Sequence, residues 1–216
     1  MSNTSSPSSP SRLLFATGNP AKRKQLQFVA DMCAYSVRVA SAYDAFPGLE
    51  RYPEDETAPP AVIACDGARH VFRHIRQPVV AEDTVIRIPS LRNRGIIGRH
   101  ASGAYLVKRG FEGVLQDMED AECRSAAIES AVAYCDRHGL RVWQTTVTGR
   151  IADAKRYRHG EPVWVGPTHD PYGGGYNAIF EVGTTGRTLA EHTAREGLQV
   201  GYREPSFWGM LRYWSK

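Results

Sequence analysis

Two short segments of the 216-residue sequence concentrate groups suited to phosphate. In Leu13-Leu14-Phe15-Ala16-Thr17-Gly18-Asn19-Pro20-Ala21-Lys22, an apolar run gives way to a hydroxyl, a glycine, a carboxamide and an ammonium group. In Val79-Val80-Ala81-Glu82-Asp83-Thr84, an apolar run delivers two adjacent carboxylates. Glycine and basic donors suit phosphate oxygens; paired carboxylates suit a divalent metal and a water. Together they point to phosphate-ester chemistry on a nucleotide-like substrate. A helix N-terminus with free N–H groups after Asn19 favours an anion. Carboxylates at the end of a buried strand would lie at a sheet's carboxyl edge, where α/β proteins bind ligands.

The elements that must position these groups follow from periodicity. Arg12–Ala16 reads as a strand, and Lys22–Ala34 as a helix with Leu26, Val29, Ala30 and Cys33 on one face. Ser36–Ala40 is a second strand, Phe46–Pro60 an acidic Pro-rich loop, and Ala61–Ile75 a helix. Val79–Ala81 begins a buried strand continuing through Val85–Ile88. Ser90–Gly103 is a basic loop with Arg92, Arg94 and Arg99. Ala104–Met118 and part of the acidic stretch after it are helical. Ser125–Tyr134 and Arg141–Ile151 form a hairpin turning at Cys135–Gly139. Pro162–Gly175 is loop, Asn177–Val182 a strand, Thr188–Glu196 a helix and Glu204–Tyr213 a terminal helix. This order implies an α/β protein with a mixed sheet.

Composition narrows the class. The length suits one domain of two lobes, residues 13–216, preceded by a Ser/Pro-rich tail, Met1–Arg12, expected to be disordered and not a secretion signal. Four cysteines without a C-x-x-C pair favour reduced thiols and a cytoplasmic protein, with Cys65 and Cys123 reading as buried. A net charge of +4, without a run of five basic residues, fits an anionic small molecule as well as nucleic acid. No apolar stretch is long enough to span a membrane.

Several other groups have ordinary explanations. His70 and His74 are spaced for zinc on a helix but lack a third ligand, so a helix surface is the better reading. Ser130 and Ser206 lack the context of a nucleophile elbow. Gly173–Gly175 precedes a strand instead of following one, which argues against a dinucleotide motif. His169-Asp170 reads as solvated loop placed by the glycine run near the cleft, and the three loop arginines read equally as a solvated face or as groups that close over a phosphate tail.

The chain resembles the inosine triphosphate pyrophosphatase family. The likeness runs from about Leu13 to Tyr213 and rests on Thr17-Gly18-Asn19-x-x-Lys22, on Glu82-Asp83-Thr84, on Tyr105, Lys108, Glu112 and Gly113, and on Thr188-x-Ala190-Glu191. The resemblance implies a two-lobed fold around a long mixed sheet with a central cleft, commonly a homodimer. It implies Mg2+-dependent hydrolysis of a nucleoside triphosphate between the α and β phosphates. Asp83 takes the family's general-base position. Metal would fall to Asp83, Glu82 and a loop glutamate, Glu50 or Glu56. Thr17, Gly18, Asn19, Lys22, Thr84 and Lys108 would meet phosphate or sugar.

Departures concentrate where the family holds its base. The family's Gly-Phe-Gly-(Tyr/Trp)-Asp-Pro becomes Gly173-Gly174-Gly175-Tyr176-Asn177-Ala178, and its Lys and Ser-His-Arg become Gly197 and Gly201-Tyr202-Arg203. Gly174, Gly175, Tyr176, Asn177, Tyr202 and Arg203 are therefore expected at the base end, with Tyr172, Tyr176 or Tyr202 supplying a stacking ring. A carboxamide at 177 can pair with both the donor and the acceptor of adenine. The expectation is a pyrophosphohydrolase whose preference has moved from inosine and xanthosine triphosphates toward an adenine-type or modified nucleotide. The rival readings are a nucleotide-binding protein that has lost turnover and, on basic pI alone, a nucleic-acid binder.

Overall fold

The computed structural model describes residues 11–55, 57–96, 102–167 and 173–215. The elements are β1 (Ser11–Phe15), α1 (Pro20–Met32), β2 (Val37–Ser41), α2 (Ala42–Ala45), α3 (Pro60–Ile75), β3 (Val79–Arg87), α4 (Pro89–Asn93), α5 (Ser102–Asp117), β4 (Ser125–Asp136) and β5 (Gly139–Ile151). A 3-10 turn (Gly175–Ala178), β6 (Phe180–Val182), a second 3-10 turn (Leu189–Glu191), α6 (Gly197–Val200) and α7 (Glu204–Trp214) complete the chain. The strands form one sheet in the order β2-β1-β3-β4-β5-β6. β1 runs parallel to β2 and β3, and the remaining pairs are antiparallel. This is the mixed α/β sheet that the element order implies.

Strand pleating decides which face each side chain serves. Leu13, Phe15, Val80, Val132 and Tyr134 pack with Leu26, Val29 and Ala30 of α1 and with Phe207, Met210 and Leu211 of α7. Leu14, Val79, Ala81, Ala131, Ala133 and Cys135 face Ala64, Ala68 and Val71 of α3. Small residues let α3 lie close: a Cβ built on Gly67 would stand 3.7 Å from the Ala81 Cβ. A third core gathers Ile86 and Ile128 from the far ends of β3 and β4, and Ile88 just after β3, with Val114, Met118, Tyr176 and Phe180. The long β3–β4 pair thus runs from one core into the next.

Several elements differ from the sequence expectation. Glu82 and Asp83 lie inside a nine-residue strand, not at its end. The carboxyl edge is nevertheless real. The parallel ladder with β1 stops at Phe15↔Val80, and β3 continues against β4 alone. β1 starts at Ser11, so Ser11 and Arg12 belong to the sheet. The hairpin is longer than expected, pairing Asp136 with Gly139. Within 90–103, Pro89–Asn93 is helical and Arg94 Nη1 donates to the Asp117 carbonyl at 2.8 Å. Arg99 lies outside the described residues. α5 breaks at Gly110, whose φ of 66° is the left-handed region that glycine tolerates. The acidic stretch after it forms turns, not helix.

The expected strand Asn177–Val182 begins as a 3-10 turn, leaving three strand residues. The expected helix at Thr188 stops after one 3-10 turn, closed by a capping box between Thr188 and Glu191. The cysteines are unpaired, and Cys123 is exposed, contrary to its pattern. Among the described residues no helix is long and apolar enough to cross a membrane.

Candidate active site

The turn after β1 is built by its own side chains. Thr17 Oγ1 accepts from the Asn19 N–H at 3.0 Å, and Asn19 Oδ1 accepts from the N–H groups of Ala21 and Lys22 at 2.8 and 3.2 Å. The Arg23 N–H reaches the Asn19 carbonyl at 3.3 Å, and Pro20 has no N–H. The first-turn amides of α1 are therefore satisfied internally, not free as the sequence reading supposed. Asn19 serves as the helix cap.

Lys22 projects one turn into α1 and meets Glu82. Its Nζ lies 2.7 Å from Glu82 Oε2 and, with 19% of the side chain exposed, faces the solvent side of the pair. Glu82 shares the strand face of Val80 and is wholly enclosed. Its Oε1 accepts from Arg203 Nε at 2.9 Å, from Ser130 Oγ at 3.1 Å and from Thr84 Oγ1. Burial disfavours the ionised form, but the charges of Arg203 and Lys22 outweigh it and bring the pKa to about 2. Glu82 is thus a permanent counter-ion between two cations. A catalytic or metal-binding role for it is poorly served by this geometry, since its oxygens are engaged and its side chain has no exposure.

Asp83 points to the other face of β3. Its register places it opposite Ala131, whose side chain belongs to the α3 core. Burial raises its pKa to about 6, with Glu82 and Glu54 adding to the rise and Lys22 opposing it. A carboxylate poised near neutrality can take a proton from water. Glu54 is the loop carboxylate whose charge reaches Asp83. Glu50 is exposed in the same loop, and Glu56 lies outside the described residues. Among the described residues no three His, Cys, Asp or Glu side chains cluster as a ready-made metal cage. Asp83, with the Glu54 charge acting on it, still offers oxygen donors of the kind a divalent ion takes.

The base end is packed differently from expectation. Asn177 Nδ2 donates to the carbonyls of Trp164 and Val165 at 3.1 and 3.3 Å, and only Oδ1 is left without a partner. Its donor is spent on backbone, so Asn177 cannot offer adenine the paired donor and acceptor. Gly174 leaves no room for a bulkier base. A Cβ there would stand 2.6 Å from the Val165 carbonyl oxygen, because the 164–166 segment fills the space. Gly175 adopts φ 56°, and Tyr176 and Tyr202 are buried. Gln25, Trp164, Asn177, Gly201, Tyr202 and Glu204 line a cavity of about 20 Å3, the room of a water instead of a purine. Tyr172 lies outside the described residues.

Arg203 is buried against Glu82, with Nη1 donating to Tyr202 Oη at 2.8 Å. Gln25 Nε2 donates to Glu204 Oε1 at 2.6 Å, and burial pushes the Glu204 carboxyl above its ordinary pKa. Lys108 is exposed on α5. Its neighbour Tyr105 donates to Asp117, which also takes Arg109, so that motif acts as a latch along α5. Likewise, Thr188 and Glu191 close their own turn.

Sequence reading missed Gln25, Ser130, Glu204 and the electrostatic reach of Glu54. Gln25 was detectable as the residue one turn after Lys22 on α1. Ser130 needed the register Thr84↔Ser130.

Residues 13–213 match the Ham1 family. The chain belongs to the Ham1 family. The dITP/XTP pyrophosphatase of Methanopyrus kandleri is 31% identical over 89% of this chain and 90% of its own. The Ham1 protein of Coxiella burnetii has the same fold, with a TM-score of 0.68 at 19% identity over 95% of this chain and 98% of that one. The crystal structure of the nucleoside-triphosphatase, dITP/XTP pyrophosphatase, of Mycobacterium abscessus superposes with a TM-score of 0.59 at 25% identity, covering 93% and 98%. The Thr17–Lys22 turn and β3 both fall inside the Ham1 match.

Proposed function

We propose that this Ham1-family chain hydrolyses nucleoside triphosphates to a nucleoside monophosphate and pyrophosphate, with deaminated purine nucleotides as substrates. It is a hydrolase of phosphoric anhydrides. The observation that carries the mechanism is Asp83, a carboxyl with pKa near 6, beside a turn and an ammonium group suited to phosphate. Asp83 accepts the proton of the attacking water at its carboxylate. Lys22, held by Glu82, presents its ammonium to the phosphate oxygens, where electrostatic stabilisation supplies most phosphoryl-transfer catalysis. Arg203 acts through Glu82, fixing the carboxylate that orients Lys22. A divalent cation such as Mg2+, held by Asp83 with Glu54 or Glu50, would add charge neutralisation at the phosphates.

The relatives named as dITP/XTP pyrophosphatases support a keto-purine substrate. The argument for adenine rested on both groups of the Asn177 amide, and one of them is committed to backbone. Pyrophosphate release with Mg2+ from ITP, dITP, XTP, ATP and dATP tests the proposal. Preference for the first three supports it; preference for ATP restores a changed specificity, and silence on every nucleotide favours a protein that only binds.

A further inference from the structure

One cation beside the Thr17–Lys22 turn has no role in the mechanism above. Arg51 lies in the loop joining α2 to α3, the same loop that carries Glu54. A Cβ built on Gly18 would stand 2.5 Å from Arg51 Nη2, 2.9 Å from Cζ and 3.2 Å from Nη1. The guanidinium therefore rests directly on the one glycine of the turn, in space that any other residue would fill. Its other contact is the Tyr43 ring, 5.6 Å from Cζ.

The surrounding cations are committed. Lys22 and Arg203 share Glu82, and Arg23 pairs with Asp44 at 2.7 Å. Arg51 makes no hydrogen bond or ion pair among the described residues, although its own loop offers Glu50, Glu54 and Asp55. The Gly18 N–H is also unbonded among them, while Asn19, Ala21, Lys22 and Arg23 all donate within the turn. Two donor groups without acceptors thus meet at Gly18, on the exposed side of the turn.

We infer that Arg51 is a substrate-binding residue, whose guanidinium takes the phosphates that leave as pyrophosphate while Gly18 keeps its place clear. This rests on the reading of the site as a triphosphate site. The chemistry favours the phosphate tail over the base. A guanidinium presents a planar fork of N–H donors that matches phosphate oxygens two at a time. Glu82 already neutralises much of the Lys22 charge, so a polyanionic tail requires a further cation. The two ends of the loop's function are then joined: Arg51 holds the leaving group and Glu54 serves the Asp83 side.

Calorimetric titration with pyrophosphate in Mg2+, and separately with inosine monophosphate, tests the inference on the full chain. Arg51→Ala is expected to weaken pyrophosphate at least about tenfold, the scale of a charge-assisted hydrogen bond, while leaving the monophosphate within about twofold. Gly18→Ala should do the same, because its Cβ displaces the flexible end of Arg51 without left-handed backbone strain. Arg51→Lys should fall between, keeping charge but losing the fork. Thermal melts should match the unaltered protein for Arg51→Ala. Pyrophosphate binding unchanged in Arg51→Ala, a parallel loss of monophosphate, or no pyrophosphate binding by the unaltered protein would each overturn the inference. Failure of every nucleotide to be hydrolysed, with the Arg51-dependent pyrophosphate affinity intact, would instead overturn the proposed reaction alone.

Discussion

Replacing Asp83 with asparagine should remove activity and raise stability together. The folded pKa is about 6, against about 3.9 for an unfolded aspartate. A gap of about two units at 1.36 kcal/mol each gives an upper bound near ~3 kcal/mol. The sign follows from the direction of the shift. Because the folded pKa is raised, the favourable contribution is present below the unfolded pKa. It is lost as pH climbs through about 4 to 6, and above that the buried charge is a standing cost. Asparagine carries no charge, so at pH 8 Asp83→Asn should be more stable by about 1–3 kcal/mol, allowing for partial exposure of the site. In a chain this long each kcal/mol moves Tm by roughly 2–4 °C. Melts in chelator at pH 8 should therefore show the variant above the unaltered protein, with the gap closing toward pH 5. Turnover should fall ~10²–10⁴-fold. A variant that melts no higher at pH 8, or a gap independent of pH, would refute the burial argument. Retention of more than about a tenth of the turnover would refute the base.

Glu82→Gln should act in the opposite direction. Leaving Lys22 and Arg203 facing each other without their anion is expected to cost ~3–5 kcal/mol in urea unfolding, and near-normal stability would show the pair to be dispensable. The apparent affinity for Mg2+, read from activation curves, should weaken about tenfold per pH unit below about 6, as protons compete for Asp83. A flat dependence between pH 5 and 7 would take Asp83 out of the metal site. Asn177→Asp should lower Tm by the equivalent of ~1–3 kcal/mol, since a carboxylate would oppose the Trp164 and Val165 carbonyls. An unchanged melting curve would place the amide donor elsewhere.

Local chemistry was legible wherever neighbours in sequence decide it. Leu26, Val29 and Ala30 are buried on α1 as their spacing implies, and Asp83 follows a buried run. What escaped was set by partners distant in the chain. Adjacent carboxylates look like a pair, yet the pleat sends Glu82 to the α1 face and Asp83 to the α3 face. Nothing near Glu82 in sequence announces Arg203, which meets it across 121 positions. Three consecutive glycines look like open space, but Gly174 is filled by the backbone of 165–166. Asn177 looks like a base reader until its amide is seen holding that same segment. Thr188–Glu196 carries a helix start in its capping box, but the backbone turns extended at His192 after one turn.

The Glu82 anion gathers one cation from α1 and one from just before α7, Lys22 and Arg203. α7, which follows Arg203 directly, also covers the β1 core through Phe207. Contacts this far apart must close a long loop before they return any stabilisation. During synthesis the turn and the carboxylates emerge well before Arg203, and the Glu82–Arg203 ion pair waits until Arg203 has left the ribosome. A product truncated before Arg203 keeps the Thr17–Lys22 and Glu82-Asp83 motifs but leaves Glu82 without one of its two cations.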